Sequence, residues 1–153
     1  MSRRHSARRL ALQGLCCLDA QGPSVGDLVD LFIQDSDEPH ETQATAGKMI
    51  RQALADLDKC DQVLSRHTRD WDLDRLAMVD RSILRLAVGE FVAGQTPFKV
   101  VIVEAIKLAR EFSTAESPRF INGVLDSVAK ELVGKDAESH QELQAQTPAD
   151  ETS

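Results

Sequence analysis

The chain has 153 residues and a formal net charge of −7, with 42% hydrophobic and 28% charged residues. These values fit one ordinary domain with a single core, and they exclude a disordered chain. No apolar run approaches the ~20 residues of a membrane span, and no apolar signal core follows the opening MSRRHSARR, so the expected compartment is the cytosol.

Residues 3–20 place Ala7, Leu10, Ala11, Leu15 and Leu18 on one stripe at helical spacing. The same segment carries Arg3, Arg4, Arg8 and Arg9, with no acid among the first nine residues. Such a cluster is either an electrostatic footprint for nucleic acid or a solvated helix face. Gly22-Pro23 breaks this helix, and Ser24 can cap a short second one carrying Val25, Leu28, Val29 and Phe32. After a polar connection over 35–40, a long third helix is expected over 41–67. Its seam is Ala46, Ile50, Ala53, Leu57, Cys60 and Leu64, in steps of four and three.

RDWDLD (69–74) ends that helix, with Trp71 as a loop anchor and Asp74 as cap of a fourth helix. Leu76, Val79, Ile83, Leu86 and Ala87 form its stripe. Gly94 stops it, and Pro97 sets the start of the next. The fifth helix, about 99–112, begins VVIV, a run that suits a buried strand equally well. The good helix formers of EAIKLAREF, with Glu104 and Lys107 at i,i+3, favour helix. It is expected to be the most buried helix. The last helix is expected over 118–133, with Gly134 as its stop. The acidic remainder (135–153), with five acids and one lysine, reads as a disordered tail. No strand partner exists for a sheet. Short loops imply antiparallel neighbours, so the expected fold is all-α: a compact bundle of about six helices, residues 1–134, with the tail outside it.

SPRFINGVLD (117–126) contains Asn-Gly, ordinarily a turn signal. Here Ser117 and Pro118 suit a helix start instead. At roughly 100° per residue, Ile121, Val124, Leu125, Val128 and Leu132 share one face. Asn122, Gly123 and Asp126 fall opposite, and Gly123 leaves a flat spot for an approaching backbone. Phe120 falls at the margin of the apolar stripe, between packing on the core and stacking on an unpaired base. Arg119 and the free N–H groups of a helix start beside it suit phosphate.

Sites for chemistry are not apparent. Cys16, Cys17 and Cys60 form neither a disulfide framework nor a metal set, and His5, His40, His67 and His140 are scattered. There is no glycine-rich phosphate loop and no paired nucleophile and base. No catalytic residue, metal or cofactor is expected.

ARRLALQGL (7–15), VDRSILRLAVGE (79–90), TPFKVVIVEAIKLAREF (96–112) and SPRFINGVLD (117–126) together resemble the NusB family. The resemblance runs from about residue 3 to 133, and its last two motifs are specific. It implies an all-helical fold of two packed subdomains and a non-enzymatic role in transcription antitermination. The implied ligand is boxA single-stranded RNA from ribosomal RNA transcripts. The implied partner is the ribosomal protein NusE, with RNA polymerase engaged indirectly. Carried over by position, Arg3, Arg4 and Arg8 match the basic RNA-binding helix, and Arg9 adds charge where an acid is frequent. Glu116, Arg119 and Phe120 match the second part of the RNA surface. Asp80 and Cys16 match positions on the NusE face, where Cys16 replaces a common tyrosine. Val103 replaces a common asparagine, and Gly89 a bulky residue. Two further readings remain: a domain acting in trans with a ribosomal RNA methyltransferase, since similar helical domains precede such enzymes, or, from the departures at Cys16 and Gly89, a homodimer with its RNA face buried.

Overall fold

The computed structural model describes residues 3–21, 26–55, 57–68 and 73–146, and the side chains of these apart from residues 21, 26–28, 74 and 135–146. Seven α-helices occur among them: α1 (Arg3–Gln21), α2 (Gly26–Gln34), α3 (His40–Ala55), α4 (Leu57–His67), α5 (Met78–Ala93), α6 (Phe98–Phe112) and α7 (Ser117–Gln146). A 3-10 turn, Leu73–Arg75, precedes α5. No strand occurs among the described residues. None of these helices is long and apolar enough to cross a membrane.

Two groups of helices share one core. Helices α1, α2 and α3 pack on one another, α6 packs on α7, and α4 reaches α5 and α7. Helix α5 touches α1, α3, α4, α6 and α7. It is therefore the most buried helix, with Ile83, Leu84, Leu86, Val88 and Phe91 in the core. The sequence favours α6 for that position, and the structure corrects this. In α6 only Val101, Ala105, Leu108 and Ala109 are buried, while Val100 and Val103 are 44% and 50% exposed. VVIV thus straddles both faces of an amphipathic helix. A helix ringed by five neighbours needs apolar or engaged residues all round, and α5 supplies them.

The expected third helix is described as α3 and α4, which flank residue 56, a position outside the described residues. Its seam runs through both: Ala46, Ile50, Ala53, Cys60 and Leu64 are buried. The start of α5 also differs. Its N-cap is Ala77, with no side-chain cap, and not Asp74. At its other end Gly94 takes φ +69° and its N–H donates to the Glu90 carbonyl at 3.2 Å, the left-handed stop that glycine adopts most readily. Pro97 then occupies the N-cap of α6, and Phe91 and Phe98 close the hairpin edge-to-face at 4.8 Å. Helix α7 continues through Gly134 rather than stopping there. Trp71 and Ser24 lie outside the described residues.

Gly89 has a specific structural reason. A Cβ built on it meets the Cα and N of Ala53 at 3.0 Å. The α3 and α5 backbones touch here, so the missing bulky side chain is a feature of the interior and not of an outer face. Gly123 is the opposite case, since a Cβ there meets nothing within 4 Å and no backbone approaches it.

Candidate nucleic-acid interface

The corner between α6 and α7 is built around one carboxylate. Asp80, in the first turn of α5, is 9% exposed. It accepts from the Ser113 hydroxyl at 2.6 Å and from the Ser117 hydroxyl at 2.9 Å. Ser113 and Thr114 hydroxyls each lie 2.9 Å from that of Ser117. The Ser117 hydroxyl therefore ties α7 to α5, where the sequence suggests a backbone cap. The chain leaves α6 with Ser113 extended (φ −124°, ψ −164°) and re-enters a helix at Ser117. Charge-assisted hydrogen bonds of this kind are roughly twice as strong as neutral ones, so the corner is stiff.

This corner carries a cleft of about 390 Å³, lined among others by Arg75, Leu76, Asp80, Glu116, Arg119 and Phe120. Four of the residues singled out in the sequence thus meet in one place. Arg119 and Glu116 are exposed. Phe120 is half-buried and packs one side against the core. Part of the ring anchors α7, and part lines the cleft. Both Asp80 carboxylate oxygens are engaged inside the fold. It braces the cleft rather than offering a free acid to a partner.

The α1 arginines are dispersed. Arg3 pairs with Glu41 on α3. Arg4 is exposed and lines a smaller cleft with Lys48, Glu90 and Gln95. Arg9 reaches Glu111 at 2.7 Å and lies over the Phe112 ring at 5.6 Å. Arg8 requires a correction. It is 2% exposed, with Nε and Nη2 on the two Glu90 oxygens at 3.0 and 2.8 Å. Its charge is satisfied inside the core and is not presented to a phosphate. The apolar stripe of α1 leaves this unseen, because Glu90 lies eighty-two residues away in sequence.

His5 is a second long-range link. Its Nδ1 lies 2.7 Å from Glu104 and its Nε2 3.7 Å from Glu111. Burial pushes the Glu104 carboxyl up, but hydrogen bonds from His5 and Lys107 outweigh it and hold the group below its ordinary value. The expected Glu104–Lys107 pair is present at 3.2 Å. Through His5 and Arg9, α1 is fastened along α6, whose end turns into the corner.

Cys16 is half-buried and packs against the core. Burial pushes its thiol pKa up, partly offset by a hydrogen bond with Ser82, which disfavours the reactive thiolate. Among the described residues no group of three or more His, Cys, Asp or Glu side chains could hold a metal ion.

Comparison with known proteins agrees with this architecture. A model of the NusB family matches residues 5–130. The transcription antitermination protein NusB of Solibacter usitatus is 41% identical over 134 residues, covering 86% of this chain and 92% of the relative. The solved structure of T. maritima NusB is 30% identical with a TM-score of 0.75, covering 86% of this chain and 92% of that one. A crystal structure of antitermination factors NusB and NusE in complex with double-stranded RNA is 26% identical with a TM-score of 0.75, covering 86% and 98%. A family match over most of its length, on this all-helical frame, means that the chain belongs to the NusB family.

Proposed function

We propose that the protein is a non-enzymatic transcription antitermination factor of the cytoplasm. It binds boxA RNA of ribosomal RNA transcripts together with the ribosomal protein NusE, and the pair joins an RNA polymerase antitermination complex. The observation that carries the RNA reading is the corner cleft, where a half-buried Phe120 stands beside exposed Arg119. A fixed ring next to a guanidinium provides the two elements of single-strand recognition, a stacking platform and a phosphate contact. The solved relative with NusE and RNA supports the choice of partners. On the α1 side, Arg3 and Arg4 are the exposed cations. Arg8 acts through Glu90 as a support for the helix, and Arg9 through Glu111 and Phe112. Gly89 contacts Ala53 within the fold, so it gives no motive for a homodimer.

The test is boxA RNA binding by fluorescence anisotropy, with NusE present, across a salt series. Affinity is expected to fall linearly on a log–log salt plot. Phe120→Ala is expected to weaken binding by about 5- to 150-fold, the equivalent of one base stack. An affinity insensitive to salt, or unchanged by Phe120→Ala, overturns the reading.

A further inference from the structure

A second groove lies on the other side of Arg119. It measures about 530 Å³ and is lined by Arg110, Ser113, Thr114, Pro118, Arg119 and Asn122, with Ile106 and Ala115 completing it. That volume falls in the ~300–1,000 Å³ range of ligand clefts. Thr114 and Arg119 line both this groove and the Phe120 cleft. The two are therefore one continuous surface passing over the α6–α7 corner.

Charge sets this groove apart. Most described lysines and arginines are held by a neighbour: Arg81 by Asp19, Arg85 by Asp61, Arg66 by Glu131 and Arg51 by Asp30. Among the described residues, Arg4, Lys99, Arg110 and Arg119 have no such partner, and the last two line the groove together. None of the groove's lining residues is acidic, in a chain whose net charge is −7. The cleft at Arg4, by contrast, includes Glu90. Asn122 follows Arg119 by three residues, so both project from one side of α7. Its exposed amide offers donors and an acceptor to a ribose hydroxyl or a base edge.

We propose that this groove is a second RNA subsite, which takes the phosphodiester and sugar adjoining the base stacked at Phe120. The assignment rests on the RNA-binding reading above. Arg110 and Arg119 straddle the backbone, Asn122 reads the sugar or base edge, and the strand turns over the corner between the two clefts. An anionic strand is the occupant that two unpaired guanidiniums without a carboxylate select, and continuity with the Phe120 cleft gives its direction.

The experiment uses the full chain with NusE and a nested set of boxA RNAs shortened from either end. Arg110→Gln is expected to weaken binding of the longest RNA about tenfold and to lower the salt slope by about 0.7, the share of one phosphate on a single strand. Asn122→Ala is expected to lower affinity for the same RNA without changing the slope. On an RNA too short to pass the corner, Arg110→Gln is expected to match the parent chain. Arg110→Glu serves as a second, stronger variant. Arg110 and Asn122 are exposed, and thermal melts check that each variant stays folded. If the parent binds and Phe120→Ala loses affinity, but both Arg110 variants match the parent on every RNA, the second subsite is overturned and the first reading stands. If the parent fails to bind boxA RNA, both fall.

Discussion

The N-terminal helix and the α6–α7 corner reach their electrostatics by opposite routes. Helix α1 has four arginines in its first two turns, yet Arg3, Arg8 and Arg9 each meet a glutamate. The corner has fewer cations, but Arg110 and Arg119 have no described partner. The cluster that stands out in the sequence is therefore partly structural, and the quieter segment adds available charge of its own. A cation density read from sequence gives an upper bound on the positive surface, and packing decides how much of it remains.

The comparison breaks first at Arg8. Arg8→Ala leaves Glu90 buried and unpaired, which is expected to cost about 3–5 kcal/mol, read by chemical denaturation. Arg8→Met with Glu90→Leu together is expected to restore most of that stability. If Arg8→Ala instead leaves stability intact and removes RNA binding, α1 presents its charge after all. Next comes Asp80→Ala, which strands the Ser113 and Ser117 hydroxyls for about 1–3 kcal/mol. It is expected to loosen Phe120 and to weaken RNA binding beyond what stability explains. Smaller and opposite in sign is Gly123→Ala, which meets open space and is expected to stabilise α7 by up to about 1 kcal/mol. RNA affinity should not change.

The finest effect is on pH. The Glu104 carboxyl is held below its ordinary value of 4.5 in the folded protein. A depressed carboxylate contributes stability that is present above its unfolded pKa and lost as pH falls through the folded one. Glu104→Gln is therefore expected to cost stability at neutral pH, where the ionised carboxylate contributes fully, and to converge on the parent chain as pH falls below about 4.5, as measured by denaturation at stepped pH.

Legibility tracked the range of the interaction. Helical periodicity is local, so the all-α class and the seam from Ala46 to Leu64 could be read directly. The stop at Gly94 and the start at Pro97 are equally local. Cys60 and Leu64 carry the register of that seam from α3 into α4. The exchange of roles between α5 and α6 was hidden. Hydrophobicity within a helix does not count its neighbours, and α5 has five. At the site, Phe120, Arg119 and Glu116 were visible as neighbours in sequence. Arg8 with Glu90, and His5 with Glu104, span the whole fold and carry no local signature. Arg110 was missed because a lone exposed arginine on an amphipathic helix carries no local signature, and its place in the groove depends on the turn into α7.

The contact at Gly89 has a consequence for how such a molecule can vary. The two halves of the fold are keyed together where one of them has no side chain, and the clearance there is 3.0 Å from a would-be Cβ to the Ala53 backbone. Main chain cannot fold aside as a flexible side chain does. Enlarging position 89 alone therefore moves a whole helix, α3, and with it the surface that pairs Glu41 with Arg3. Residue 89 and the stretch around Ala53 behave as a single adjustable part, a spacer whose thickness sets how far apart the two groups of helices ride.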